Sequence, residues 1–416
     1  MTAEKAATTD VKGRLPTPYW RLWWAGAIDN VGDGAFVTAV PLLAVQLAPT
    51  PVLVAAVSAA AYLPWLIFSL PAGALVDRHD RKRLMVCSQL AQAAVVTVAA
   101  ILVATGEMHV AVLAAMAFML GACDVVFGNA AQAMLPQIVP GPLLNRANGY
   151  QNTVTNTGQQ FLGPPAGSFL FAVTAAAPFA LNAVSFLGSA ALIATLPPGR
   201  RSAAEHAPMH TAIRDGLRWL LRHRQLRTLA VLLAVNTFCY AMGTSTLVLL
   251  ATQTLHVTAG GYGVLLTAAA VGGAIGGVVS ERLVAWSGTL PALLASLAAN
   301  ALIFVATGIA PDLVVLAVLL ALGGFATTIW SVLTLSLRQQ QVPDDLRGRV
   351  NSAYRMIGWG LIPLGALAGG LVAEKVGLRA PYPIAGAIRG LALLGALPVL
   401  LATMRSPARR HRRECG

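Results

Sequence analysis

Charge is what this chain has least of. Only 11% of its 416 residues are Asp, Glu, Lys or Arg, against about 25% in an ordinary globular domain. Acid is the scarcer sign, with 16 acidic residues against 29 basic ones. A chain that is 56% hydrophobic, with a mean hydropathy of +0.69, reads neither as a soluble enzyme nor as a disordered chain. Its four cysteines, Cys87, Cys123, Cys239 and Cys415, form no C-x-x-C pair, so neither a metal site nor a disulfide framework follows. No G-x-x-x-x-G-K-[ST] run occurs, which removes the phosphate cradle that ATP hydrolysis needs. His79, His109 and His256 stand outside any carboxylate–histidine motif, which argues against a polytopic membrane enzyme. The first nineteen residues are polar and contain no apolar h-region, so no cleavable signal peptide is expected.

What the chain does have is apolar length. One membrane helix needs about 20 apolar residues. Apolar segments run near 20–47, 52–76, 84–105, 109–134, 148–173 and 178–196, and again near 229–254, 261–283, 290–309, 313–337, 351–375 and 380–404. These segments are apolar throughout, whereas barrel strands alternate over about 10 residues. The expected fold is therefore an all-α integral membrane protein of twelve transmembrane helices. The expected organisation is a six-helix bundle over 1–197, a linker over 198–227 and a second six-helix bundle over 228–416. The linker is basic and carries Ile213, Leu217, Leu220 and Leu221 at helical spacing, which predicts an amphipathic helix on the membrane surface.

The net charge of +13 could mean nucleic acid on a soluble chain. Here the basic residues lie in alternate gaps. One set of gaps holds Arg78, Arg81, Lys82, Arg83, Arg146, the Arg200–Arg227 stretch, Arg282, Arg338, Arg347, Arg349 and the basic tail, while the other holds only Lys375 and Arg379. The positive-inside rule puts the first set, and both termini, in the cytoplasm; nucleic acid is not an expected partner. The chain also repeats itself. Gln137, Val139, Pro140, Leu143, Arg146 and Asn148 recur as Gln340, Val342, Pro343, Leu346, Arg349 and Asn351, always 203 residues later. Two homologous halves about an axis along the membrane normal are a transporter plan, with the substrate site near the midplane between them.

The run from Gly73 through Asp77, Arg78, Arg81 and Lys82 to Arg83 resembles the signature between the second and third helices of the major facilitator superfamily, G-x-L-x-D-R-x-G-R-[RK], with Asp80 in place of the second glycine. Gln340 to Asn351, and Leu135 to Pro140 with Arg146 and Asn148, resemble its branch of enterobactin-type exporters and macrolide or multidrug efflux proteins. Gly163, Pro164 and Gly167 are similar to the core of that superfamily's antiporter motif. The resemblance covers residues 17–404 and implies a gate at Gly73, Asp77, Arg78, Arg81 and Lys82. It also implies a central cavity lined by the first, fourth, seventh and tenth helices, which makes Asn236, Tyr240, Thr327 and Trp330 cavity-lining candidates. The fourth span lacks the arginine that the best-known drug/proton antiporters keep there, so proton coupling would use other residues.

Three carboxylates interrupt the apolar spans: Asp29 and Asp33 in the first and Asp124 in the fourth. A charge in the bilayer core costs several kcal/mol, so such residues face a cavity or a partner. Asp29 and Asp33 stand at i,i+4 and share a helix face. They are the candidates for carrying a proton and contacting a substrate, against a purely structural role for Asp33 between Gly32 and Gly34. Polar Asn152, Asn156, Gln159 and Gln160 form a stripe on the fifth span, suited to binding helices together or to gating. The expected function is secondary active export of a small amphipathic organic molecule, exchanged for protons by alternating access. Uptake symport or facilitated diffusion of a metabolite is the alternative. No cofactor beyond a coupling ion, expected to be H⁺, is foreseen; the expected partners are the lipid bilayer and the substrate. The expected form is a monomer in a bacterial cytoplasmic membrane.

Overall fold

The computed structural model describes residues 14–48, 50–198, 218–342, 350, 354 and 356–414, without the side chains at 70, 74, 77, 145, 340 and 403–414. Among these residues every regular element is helical. In chain order they are α1 (Thr17–Leu47), α2 (Pro51–Arg78), α3 (Arg81–Thr105), α4 (Val110–Ile138), a composite α5, α6 (Ala177–Ala194), α7 (Arg224–Thr254), α8 (Ala259–Ser287), α9 (Thr289–Gly308), α10 (Leu313–Gln341), α11 (Met356–Val376) and α12 (Pro381–Glu414). Eleven of the twelve are long and apolar enough to cross a membrane as single helices.

The exception is α5. It comprises Leu144–Asn156, a wide π turn over Thr157–Leu162, and Gly163–Val173. The widened turn falls within the polar stripe, at Gln159 and Gln160. Single π turns inside α-helices tend to sit at functional positions.

Local chemistry sets the ends. Asp80 Oδ1 accepts the Arg83 amide at 3.1 Å and so caps α3, an N-terminal role suited to a short acidic side chain. This is the work done by the residue that departs from the loop signature. Asp312 caps α10 through the Val315 amide at 2.9 Å. Thr258 does the same for α8, and Gly106, at φ +77°, ends α3 in the left-handed conformation.

Hydrophobic packing divides the molecule by depth. At the end bearing the α1–α2, α7–α8 and α11–α12 turns, one core cluster draws on both halves: Leu42, Leu43 and Val57 pack with Leu247, Val248, Tyr262 and Leu265. At the opposite end the cores are separate. Tyr19, Met85, Met134 and Ile193 belong to the N-terminal half, and Leu226, Leu229, Trp330 and Leu400 to the other. Across the joined end, a Cβ at Gly263 would strike Ser168, and one at Gly370 would strike Ala55. Among the described residues, the halves thus share one core at one end and keep separate cores at the other.

Of the linker, residues 218–222 are helical. Leu220 is fully buried in the core of the C-terminal half. Leu221 is half exposed, and Ile213 and Leu217 lie outside the described residues.

Candidate functional site

The three sequence-flagged carboxylates come together. Asp29 on α1 is 7% exposed, and its Oδ2 accepts a hydrogen bond from Gln89 Nε2 of α3 at 3.1 Å. Asp124 on α4 accepts one from Gln92 Nε2, also of α3, at 2.5 Å. Asp33 lies within electrostatic reach of both and is faced by Gln159 of α5 and Asn182 of α6. Five helices thus converge on one acidic cluster. Two glycines make room for it. A side chain at Gly32 would fall on Ser185 and Asn182 of α6, and one at Gly34 on the backbone of Gln159.

Gln89 and Gln92 were not singled out by sequence reasoning. The available signal was a pair of amides three residues apart in an otherwise apolar span, Ser88-Gln89-Leu-Ala-Gln92, which places them on one helix face. Their partners could not be read from spacing alone. Asp29 Oδ1, Gln89 Oε1, Gln92 Oε1 and Asn182 Nδ2 are buried without a hydrogen-bond partner among the described residues. Groups of this kind are costly to bury and uncommon. Protonating Asp29 at Oδ1 would supply the hydrogen that Gln89 Oε1 lacks. A carboxylic acid and a primary amide can then close two hydrogen bonds at once, while the carboxylate keeps only the amide N–H bond. The arrangement can hold either protonation state.

The antiporter-like residues pack beside this cluster. A Cβ at Gly163 would meet Gly34, and one at Gly167 would meet Ala35; small residues let helices approach this closely. Pro164 and Ser168 abut Gly263 of α8. The motif wedges α5 between α1 and the other half at the joined end.

In the loop motif, Gly73 is buried and Arg78 exposed. Buried Arg81 donates to the Ala133 carbonyl at 3.0 Å near the end of α4, where a cation meets the negative pole of a helix. It therefore ties α3 to α4 within one half. Lys82 is half-buried. The Asp77 side chain lies outside the described residues.

The C-terminal half is built differently. Arg389 on α12 is 6% exposed. Its guanidinium donates to the Asn236 carbonyl at 2.9 Å and to Asn300 Oδ1 at 3.5 Å, and stacks 3.9 Å over Phe304. Thr327 donates to the same Asn300 oxygen at 3.0 Å. Arg389 had no partner assignable from sequence; α7 and α9 supply it. Of the other cavity candidates, Tyr240 is exposed and lies within electrostatic reach of Tyr62 on α2 and of Arg389. Trp330 is largely core, with one edge on a cavity.

Comparison with known proteins follows the same lines. The family model described as "Transmembrane secretion effector" matches residues 16–412. The chain belongs to this family. It is 27% identical over 399 residues to the multidrug efflux pump Tap of Mycolicibacterium fortuitum, covering 93% of this chain and 96% of that one. It is 20% identical to macrolide efflux protein A of Streptococcus pyogenes, covering 89% and 93%. Its fold matches that of a bacterial homologue of the iron transporter ferroportin in an inward-facing state, with a TM-score of 0.72 and 16% identity over 92% of this chain and 98% of that one. The family member is thus a multi-pass major facilitator superfamily transporter of the efflux branch, as the motifs led one to expect.

Proposed function

We propose that this chain is a proton-driven exporter of amphipathic organic cations or neutral lipophilic molecules. The observation that carries the reading is the acidic cluster. Asp29, Asp33 and Asp124 gather deep in one half, with amide partners able to serve both the carboxylate and the acid. Buried ionisable groups of this kind inside a membrane mark ion or substrate paths. The drug-efflux activity named for the relatives supports export rather than uptake. The basic residues gather at the end where the two halves keep separate cores, so the positive-inside rule makes that end cytoplasmic.

Mechanistically, a cationic substrate entering from the cytoplasm competes with protons for Asp29 and Asp124. Its binding displaces a proton and favours the opposite packing of the halves. A proton from outside then displaces the substrate and favours return. Each ligand shifts the equilibrium only by its differential affinity for the two arrangements. The protein acts as a monomer in the cytoplasmic membrane, with no cofactor.

The test is efflux of a fluorescent lipophilic cation from cells expressing wild type, Asp29→Asn or Asp124→Asn, with and without a protonophore. Uphill efflux abolished by the protonophore, and reduced at least tenfold by either substitution, is expected. Efflux indifferent to both would overturn the coupling and leave a facilitator.

A further inference from the structure

The C-terminal half holds a cavity of about 310 Å³ between α7, α10 and α11. Its character is set by Trp330, Thr334 and Arg338 on α10, with Tyr354, Trp359 and Thr237 around them. Trp330, Thr334 and Arg338 stand at i, i+4 and i+8, which aligns them on one face over about 12 Å of helix. Thr334 spends its hydroxyl hydrogen on the Trp330 carbonyl, at 2.8 Å, and so presents only lone pairs to the cavity. Trp359 reaches across to the other half, 4.8 Å from the ring of Trp65. No acidic residue is among the described residues lining this space.

Arg338 is the feature that calls for a ligand. The charge pattern alone assigns it to the cytoplasmic cations that set topology. The fold instead turns it back into the cavity, its guanidinium 4.1 Å over the ring of Tyr354. Its Nε is buried and has no hydrogen-bond partner among the described residues. A guanidinium is a planar fork suited to carboxylate, and its stacking on a phenol fixes its plane. At the same cavity Trp359, 40% exposed, offers a flat apolar face, and the exposed part of Trp330 adds to it.

We infer that this cavity is a second binding subsite, one that takes a planar aromatic group bearing a carboxylate or other anionic acceptor. The acceptor lies on Arg338 and the ring system against Trp330 and Trp359. The inference deepens the efflux reading, on which it rests for what the bound molecule is for: it gives the C-terminal half an anion-accepting site.

The experiment uses the full-length protein in lipid nanodiscs, without any gradient, and equilibrium dialysis of 2-naphthoate and of the neutral 2-naphthylmethanol. Empty nanodiscs of the same lipid are subtracted. Wild type is expected to bind the carboxylate at least tenfold more tightly than the alcohol. Arg338→Gln should erase that preference, Arg338→Lys should keep part of it, and Trp359→Ala should weaken both probes together. Thermal unfolding of each variant verifies folding, and the charge-retaining Arg338→Lys keeps the test decisive if Arg338→Gln fails to fold. Equal binding of the two probes by wild type, or a preference surviving Arg338→Gln, would overturn the subsite. Asp29→Asn should leave the preference untouched while uphill efflux is lost, so failure of the coupling reading and failure of the subsite give different patterns.

Discussion

The two halves share a plan and oppose each other in charge. Both ends of α10 lie 203 residues after those of α4, so Thr327 stands where Asp124 stands in the other half. Asp124 holds an acid against a glutamine amide; Thr327 holds a hydroxyl against an asparagine that also serves Arg389. One half buries three carboxylates amid amides. The other buries a guanidinium against a carbonyl, an amide oxygen and an aromatic face. Duplication preserved helix positions and loop motifs because packing needs them. The buried polar groups carried no such constraint and diverged in sign.

The contrast makes a first prediction, with the largest effect on stability. Arg389 holds three helices together, whereas the carboxylates sit among groups that tolerate either protonation state. Arg389→Ala leaves the Asn236 carbonyl without this donor and opens a void, a loss of about 3 kcal/mol. Isosteric Asp29→Asn should stay within about 1 kcal/mol of wild type. Thermal unfolding of the two purified variants compares them, and equal losses would break the contrast between a structural cation and working acids.

A second prediction concerns the small residues beside the site. Gly163 in α5 corresponds, 203 residues on, to Ala366 in α11, and both helices end in that same register. The C-terminal half thus accommodates a methyl where the N-terminal half does not, because a Cβ at Gly163 falls on the backbone of Gly34. Gly163→Ala should cost about 1–3 kcal/mol through overpacking and lower efflux by pushing α5 away from Asp33. A variant with unchanged unfolding and efflux would show that α1 and α5 have slack.

The smallest effect is expected at the loops. Asp80 caps α3, while its counterpart helix α9 starts at Gly288, a residue at φ +84° with no side chain to offer. Asp80→Ala should cost about 1 kcal/mol with little change in efflux. A large loss of efflux at unchanged stability would move Asp80 from helix capping to gating.

Much of this was legible beforehand. The hydropathy runs located all twelve spans, and the 203-residue repeat divided them into two sets. Asp29, Asp33 and Asp124 stood out because charge is so rare in these segments. Gln89, Gln92 and Asn182 did not, since an amide in an apolar span has no distinguishing period. The π turn in α5 was hidden too, because a widened turn leaves the apolar run intact. Arg379, one of only two basic residues on the wrong side of the charge pattern, is explained by its bonds to the carbonyls of Gly308 and Ala310 at the end of α9.

The sequence by itself determined that the chain lives in a bilayer, how many times it crosses and that its two halves are copies. These follow from local quantities: apolar length, charge between segments and spacing along the chain. Only the tertiary structure decided which buried polar groups meet. Asp29 reaches Gln89 across 60 residues, and Arg389 reaches Asn236 across 153. In a bundle, such pairings depend on the rotation and approach of each helix. Those are set by glycine contacts and core packing summed over many neighbours, and no single segment carries that information.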